Sequence, residues 1–208
     1  MKKLGFFVVV ACVVIVATTQ RSTPASIRGP TLSKGTPSLH STHQLIRISQ
    51  RDCQQYNSTA ECNEWAMATC SAAAMTEIAN YYDGPGQYRI HDLLAIESRI
   101  GEITPQLGLL EDAGIARTMA FFGFHTSWGH GRSLDHIMQL ANEGTPVIVS
   151  FPPWLYAGGH LVVVTGGNGH KVFLADSSIW NRHSLSRQQF QQWWGGFSAV
   201  VIPQRRQV

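Results

Sequence analysis

Apolar residues recur every three or four positions over residues 66–82, where Met67, Cys70, Ala74, Ile78 and the Tyr81-Tyr82 pair mark one face of a helix. Asp83-Gly84-Pro85-Gly86 ends it, because proline cannot continue a helix and glycine takes the left-handed cap. The same spacing predicts helices over 91–100, 111–122, 133–143 and 187–194, with Ser133 as an N-cap and Gly144 as a stop. After Gly144 the period changes. Unbroken valine-rich runs at 146–151, 160–165 and 172–175, and a last one at 197–202, are bounded by Gly, Pro and Asn and predict strands, as does a short run at 124–127. Gly166-Gly167-Asn168-Gly169 predicts a turn that folds the second and third of these runs into an antiparallel hairpin. Helices first and sheet second is an α+β order.

The first nineteen residues follow neither pattern. Met1-Lys2-Lys3 precedes an uncharged apolar run, Leu4 to Ala17, which is shorter than the roughly twenty residues of a comfortable membrane span. Residues 1–19 are therefore expected to be an export signal, either removed after Ala17 or retained as an anchor. Val9-Val10-Ala11-Cys12 resembles a lipidation box, but apolar residues continue after Cys12 where a polar tether belongs, which favours an ordinary apolar cysteine. Residues 20–43 are rich in Ser, Thr, Pro and Gly and are expected to form a flexible linker, since they offer too little apolar surface to offset ordering. Residues 44–203 then suit one domain with one core, and 204–208 a tail.

Charge separates along the same boundary. The chain carries a formal +3, yet six of its sixteen Lys and Arg residues and none of its acids precede Arg51. From Arg51 onward ten basic residues face thirteen acidic ones, so the domain is mildly acidic and has no basic footprint for nucleic acid. The pair Arg205-Arg206 reads as a solvated tail. His125, His130 and His136 are close in sequence but lack any HExxH or CxxC spacing, so neither a metal nor another cofactor is expected. Asn57-Ser58-Thr59 fits a glycosylation sequon, a common pattern that implies only an exposed loop.

Candidate chemistry centres on Cys70. The domain holds Cys53, Cys62 and Cys70, an odd number in a compartment that permits disulfides. The simplest accounting pairs Cys53 with Cys62 across a polar loop and leaves Cys70 a free thiol; the alternative bonds Cys70 to one of them. If the helix starts near Thr69, Cys70 lies in its first turn, where unpaired amides favour a thiolate. His160 opens one strand of the expected hairpin and Asp176 lies just past the end of its neighbour, so both fall at one edge. A thiol, an imidazole and a carboxylate so arranged suit a nucleophile, its base and the group that orients the base.

These stretches resemble the papain-like cysteine peptidases. More specifically they resemble the exported bacterial branch related to the bacteriocin-processing, double-glycine-leader peptidase domains, cysteine-peptidase family thirty-nine. The matching residues are Cys70 on the helix ending Ile78-Ala79-Asn80-Tyr81-Tyr82, then Gly159-His160-Leu161-Val162-Val163-Val164-Thr165-Gly166. After them come Lys171-Val172-Phe173-Leu174-Ala175-Asp176-Ser177 and Phe190-Gln191-Gln192-Trp193-Trp194. The resemblance implies a nucleophile helix packed on a C-terminal antiparallel sheet, a peptide or protein substrate, a monomer, and hydrolysis of peptide or isopeptide bonds by Cys70, His160 and Asp176. It also implies a glutamine shortly before the nucleophile that binds the oxyanion. Six residues before Cys70 stands Glu64, which when ionised cannot donate, so Gln55 is expected to take that role, with Gln54 and Asn63 as substitutes. Without such a donor the fold would serve as a surface module binding peptides or cell-wall material. Trp128, Trp154, Tyr156, Trp180, Trp193 and Trp194 would then supply the recognition surface, and 151–156 is the expected substrate-side loop in either case.

Overall fold

The computed structural model describes residues 44–204. The expected leader, Cys12, the linker and the tail from Arg205 onward lie outside the described residues. No helix among the described residues is long and apolar enough to cross a membrane. The helical half comprises α1 (Thr59–Trp65), α2 (Cys70–Asp83), α3 (Ile90–Arg99) and α4 (Ala113–Phe121), with a two-stranded ribbon of β1 (Ile103–Thr104) and β2 (Gly108–Leu109) between α3 and α4. There follow β3 (Phe124–Gly129), α5 (Leu134–Asn142), β4 (Val147–Phe151), β5 (His160–Gly167), β6 (Lys171–Ala175), β7 (Ser184–Ser186), α6 (Arg187–Trp193) and β8 (Ser198–Pro203). The fold class is α+β.

Six strands form one antiparallel sheet in the order β3-β8-β4-β5-β6-β7. Successive side chains of a strand point to opposite faces, and here both faces are covered. Ile148, Leu161, Val163, Ala199 and Val201 pack with α2, α3 and α4, whereas Val147, Val149, Val162, Val164 and Val172 pack with α5 and α6. Burial on both faces explains why β4 and β5 read as unbroken apolar runs rather than as alternating ones. β4 and β5 pair from Val147 opposite Val164 to Phe151 opposite His160. β5 and β6 pair from Val163 opposite Ala175, with a bulge between Val164 and Gly166.

α2 runs through the middle of the helical half and is buried from Ser71 to Tyr81. Ala72, Ala73 and Ala74 let α3, α4 and the sheet approach it closely, and Gly84 at φ +120° stops it. The predicted start at residue 66 is corrected. Residues 66–69 form turns, and Ala68 N–H donates to the Trp65 carbonyl at 2.8 Å. The supposed polar loop between Cys53 and Cys62 is corrected too, since it contains a 3-10 turn and the start of α1, which Ser58 caps by accepting from the Glu61 amide. Its acids and amides carry no apolar period, so nothing but the cap residue announced a helix. Ser133 caps α5 by accepting from the His136 amide.

Candidate active site

Cys70 is the first residue of α2 and the free cysteine among the described residues; Cys53 and Cys62 are joined in a disulfide. Its side chain lines a cleft of about 470 Å³ whose other walls include Gln50, Met67, Leu107, Trp154 and His160. Gly158 and Gly159 precede His160 with φ of +86° and +65°, a left-handed pair that reverses the chain into β5. A Cβ on Gly159 would lie 3.3 Å from Pro153 Cδ, a tight contact that adds to the left-handed φ in favouring glycine there. The expected substrate-side loop does border the cleft, through Phe151, Pro152, Pro153 and Trp154.

The hairpin brings His160 and Asp176 together at one sheet edge. His160 Nε2 lies 2.7 Å from Asp176 Oδ1, and the carboxylate is 1 % exposed. Asp176 Oδ1 also accepts the Ser178 amide at 2.9 Å, and Oδ2 accepts the Arg182 amide and guanidinium at 3.2 Å each. Burial alone would push Asp176 up, but the hydrogen bonds from His160 and Ser178 hold it well below the usual carboxylate range. Burial likewise disfavours the imidazolium, yet hydrogen bonding to Asp176 and to the Cys70 thiol raises His160 to about 9. With Nε2 committed to Asp176, Nδ1 is the nitrogen left for the sulfur.

Behind Cys70, His160 and Asp176 lie two carboxyls with no motif to announce them. Glu77, on α2, accepts the Ile48 amide at 2.8 Å and is raised to about 8 by burial, against the pull of that bond and of Arg47. Glu97, on α3, is raised to about 8 by burial and by the charge of Glu102, against the pull of Ser71. Neither residue carried a motif, and both sit on helix faces otherwise apolar.

The side chains expected to donate to an oxyanion lie away from Cys70. Gln55 borders a separate pocket with Ile46, Arg47 and Tyr88, and Asn63 is exposed on α1. Neither lines the Cys70 cleft; Gln50 does. Ser177 Oγ donates to Gln50 Oε1 at 2.9 Å, which fixes the amide, and Nε2 donates one hydrogen to the Ala66 carbonyl at 2.9 Å. The second Nε2 hydrogen remains for the cleft. Gln50 precedes Cys70 by twenty residues, but the disulfide brings Cys53 and Cys62 to a Cα separation of 5.3 Å and so shortens the path. Tyr56, inside that loop, donates to the Gln50 carbonyl and pairs with Thr69 Oγ1 at 2.7 Å, linking the two ends. The signal available in the sequence was the disulfide itself, read as an excursion to be cut out of the spacing.

The remaining candidates disperse. His125 lies on β3 and His136 on α5, while His130 meets Asp112 at 3.3 Å. Trp154 and Trp180 are exposed, whereas Tyr156, Trp193 and Trp194 pack on the α5–α6 side of the sheet.

A thiol at the start of the central helix, facing an imidazole on an antiparallel sheet, belongs to the papain-like α+β fold of cysteine peptidases. The chain is a member of the Peptidase_C39 like family, which it matches over residues 45–202. Its fold is similar to the peptidase domain of Streptococcus ComA, a bi-functional ABC transporter involved in a quorum sensing pathway. The two share 19 % identity at a TM-score of 0.57, over 77 % of this chain and 100 % of that one. It is also similar to a putative C39-like peptidase from Bacillus anthracis, with 11 % identity and a TM-score of 0.53 over 80 % of this chain and 98 % of that one. No curated protein matches the chain.

Proposed function

We propose that the chain is an exported cysteine peptidase-type hydrolase that cleaves peptide or isopeptide bonds with Cys70, His160 and Asp176. The observation that carries this reading is the meeting of Cys70, His160 and Gln50 in one cleft, with Asp176 bound to the far side of the imidazole at 2.7 Å. Family membership supports peptidase-type chemistry. In this reading the Cys70 sulfur attacks the scissile carbonyl, and the carbonyl electron pair moves onto oxygen, where Gln50 Nε2 and the Cys70 amide donate to it. His160 Nδ1 delivers its proton to the leaving amine, leaving a thioester. It then takes a proton from water, whose oxygen displaces the sulfur. Asp176 stays ionised and holds the imidazole in register throughout. The Cys53–Cys62 disulfide supports export, since such bonds persist in oxidising compartments.

The test is an unbiased peptide-library cleavage profile of the full chain beside its Cys70→Ala form, with labelling by a thiol-reactive active-site probe at neutral pH. Cleavage and labelling that both vanish in Cys70→Ala support the reading. Equal labelling of Cys70→Ala, or cleavage that survives it, overturns it. A wild-type chain that binds peptides without cutting any identifies a binding module instead.

A further inference from the structure

Asp176 has a second charged partner that the reaction above does not use. While Oδ1 meets His160, Oδ2 accepts from both the backbone amide and the guanidinium of Arg182. That guanidinium is itself enclosed by aromatic rings. Arg182 Cζ lies 5.5 Å from the Tyr156 ring centre, 5.3 Å from Trp180 and 5.3 Å from Trp193. The rings come from three segments: the β4–β5 loop, the β6–β7 connection and α6. Tyr156 also lies 6.5 Å from the His160 ring and 5.1 Å from Trp193, so the enclosure touches the imidazole as well as the carboxylate. A flat, permanently charged guanidinium stacks on such faces while donating in its own plane, which an ammonium cannot do.

The consequence is electrostatic as well as geometric. An imidazolium is stabilised by the carboxylate beside it, and a fixed cation on the other carboxylate oxygen withdraws part of that stabilisation. The other ionisable groups facing the pair are Cys70 and Glu77 from α2 and Arg47 from the segment before α1. Arg47 is already committed to the carbonyls of Asp176 and Ser178, at 2.7 Å and 2.6 Å. Of these groups, Arg182 is the cation whose side chain bonds the carboxylate directly.

We propose that Arg182 is a positioning residue: caged by Tyr156, Trp180 and Trp193, it fixes the Asp176 carboxylate against His160 and sets how readily the imidazolium gives up its proton. This inference rests on the reading of Cys70, His160 and Asp176 as the catalytic set. Loss of Arg182 leaves Asp176 a fuller negative charge, so His160 holds its proton to higher pH.

Alkylation of the full chain by iodoacetamide across pH, quantified on the Cys70 peptide by mass spectrometry, tests this without a substrate. The wild-type profile is expected to show a plateau ending in an upper step where His160 deprotonates. Arg182→Gln should move that step upward by roughly half a pH unit or more, and Arg182→Lys should move it less. Trp180→Ala, which opens the cage on its exposed side, should shift it in the same direction by a smaller amount. If Arg182→Gln does not fold, the Lys and Trp180 variants carry the test. A wild-type plateau whose upper step is unmoved in the folded variants overturns the inference and leaves the catalytic set standing. A wild-type chain with the profile of an ordinary thiol overturns both.

Discussion

The two halves of the site are assembled by different means. On the sheet side, His160 and Asp176 are sixteen residues apart and meet because one hairpin register puts them at the same edge. On the helical side, Gln50 and Cys70 are twenty residues apart, and no single element joins them. A disulfide, the Tyr56 hydroxyl and the bond from Gln50 to Ala66 hold them instead. The first pair is brought to one end of the sheet by backbone ladder bonds common to any antiparallel pair, with Arg182 bonded to the carboxylate; the second is held by a handful of side chains. The approach of His160 to Asp176 should therefore tolerate sequence change along β5 and β6 better than the approach of Gln50 to Cys70 tolerates change in its loop.

Removing a group from the sheet pair should have the largest effect. His160→Ala is expected to lower cleavage of a reporter peptide by roughly 10³-fold or more, as read by steady-state kinetics on the folded variant. A loss under tenfold would mean that the hairpin pair is not the base. Gln50→Ala should come next, at about 10²-fold in kcat, because it removes one oxyanion donor. If Gln55→Ala does more than Gln50→Ala, the oxyanion assignment on the helical side fails.

Replacing both Cys53 and Cys62 with Ser should cost about 2–3 kcal/mol in denaturant unfolding. It should also slow cleavage on the way, since the same loop carries Tyr56 to the Gln50 carbonyl. Unchanged turnover in a destabilised variant would show that the helical half is held without the cross-link.

The gentlest probe is pH. Glu97 is raised from 4.5 to about 8 in the folded chain, so between those values the native state keeps a proton that the unfolded chain has lost. Stability should therefore fall as pH rises through that window, by about 1.4 kcal/mol per pH unit for this group, and level off above it. Glu77, also raised to about 8, acts in the same direction. His160, raised to about 9 from 6.5, contributes stability complete below 6.5 and lost as pH climbs through 9. Asp176 acts oppositely at the acid end: its contribution is present above 3.8 and disappears as pH drops through its depressed folded value. Glu97→Gln should flatten the fall above pH 4.5 without touching the acid limb, as read by urea midpoints at several pH values. A midpoint that rises with pH between 4.5 and 8 in the wild type would contradict the burial assigned to both glutamates.

Periodicity explains which parts could be read in advance. The runs at 146–151 and 160–165 named their strands because a sheet covered on both faces favours apolar residues on both, while 172–175 was marked by its β-branched and apolar content with Phe173 exposed. Asn168-Gly169 marked where the hairpin reverses, and with it the meeting of His160 and Asp176, while Gly166 and Gly167, read as part of the turn, belong to β5. α1 escaped because Thr59 to Trp65 buries little besides Cys62, so its sequence follows a cap and not a stripe. β1, β2 and β7 escaped because two or three residues cannot express a period. Gln50 escaped because separation along the chain was taken as separation in space, and the cross-link that makes them differ lies between it and Cys70. Arg182 had no motif at all: its meaning comes from rings that only folding gathers.

The alanine-lined central helix sets a boundary for anyone wishing to retarget this protein. With neighbours against it from Ser71 to Tyr81, α2 has no room to slide or tilt, so the sulfur occupies an address that redesign cannot shift. New preferences would have to be written into the two borders that remain adjustable, the β1–β2 ribbon with Leu107 and the 152–159 loop with Trp154.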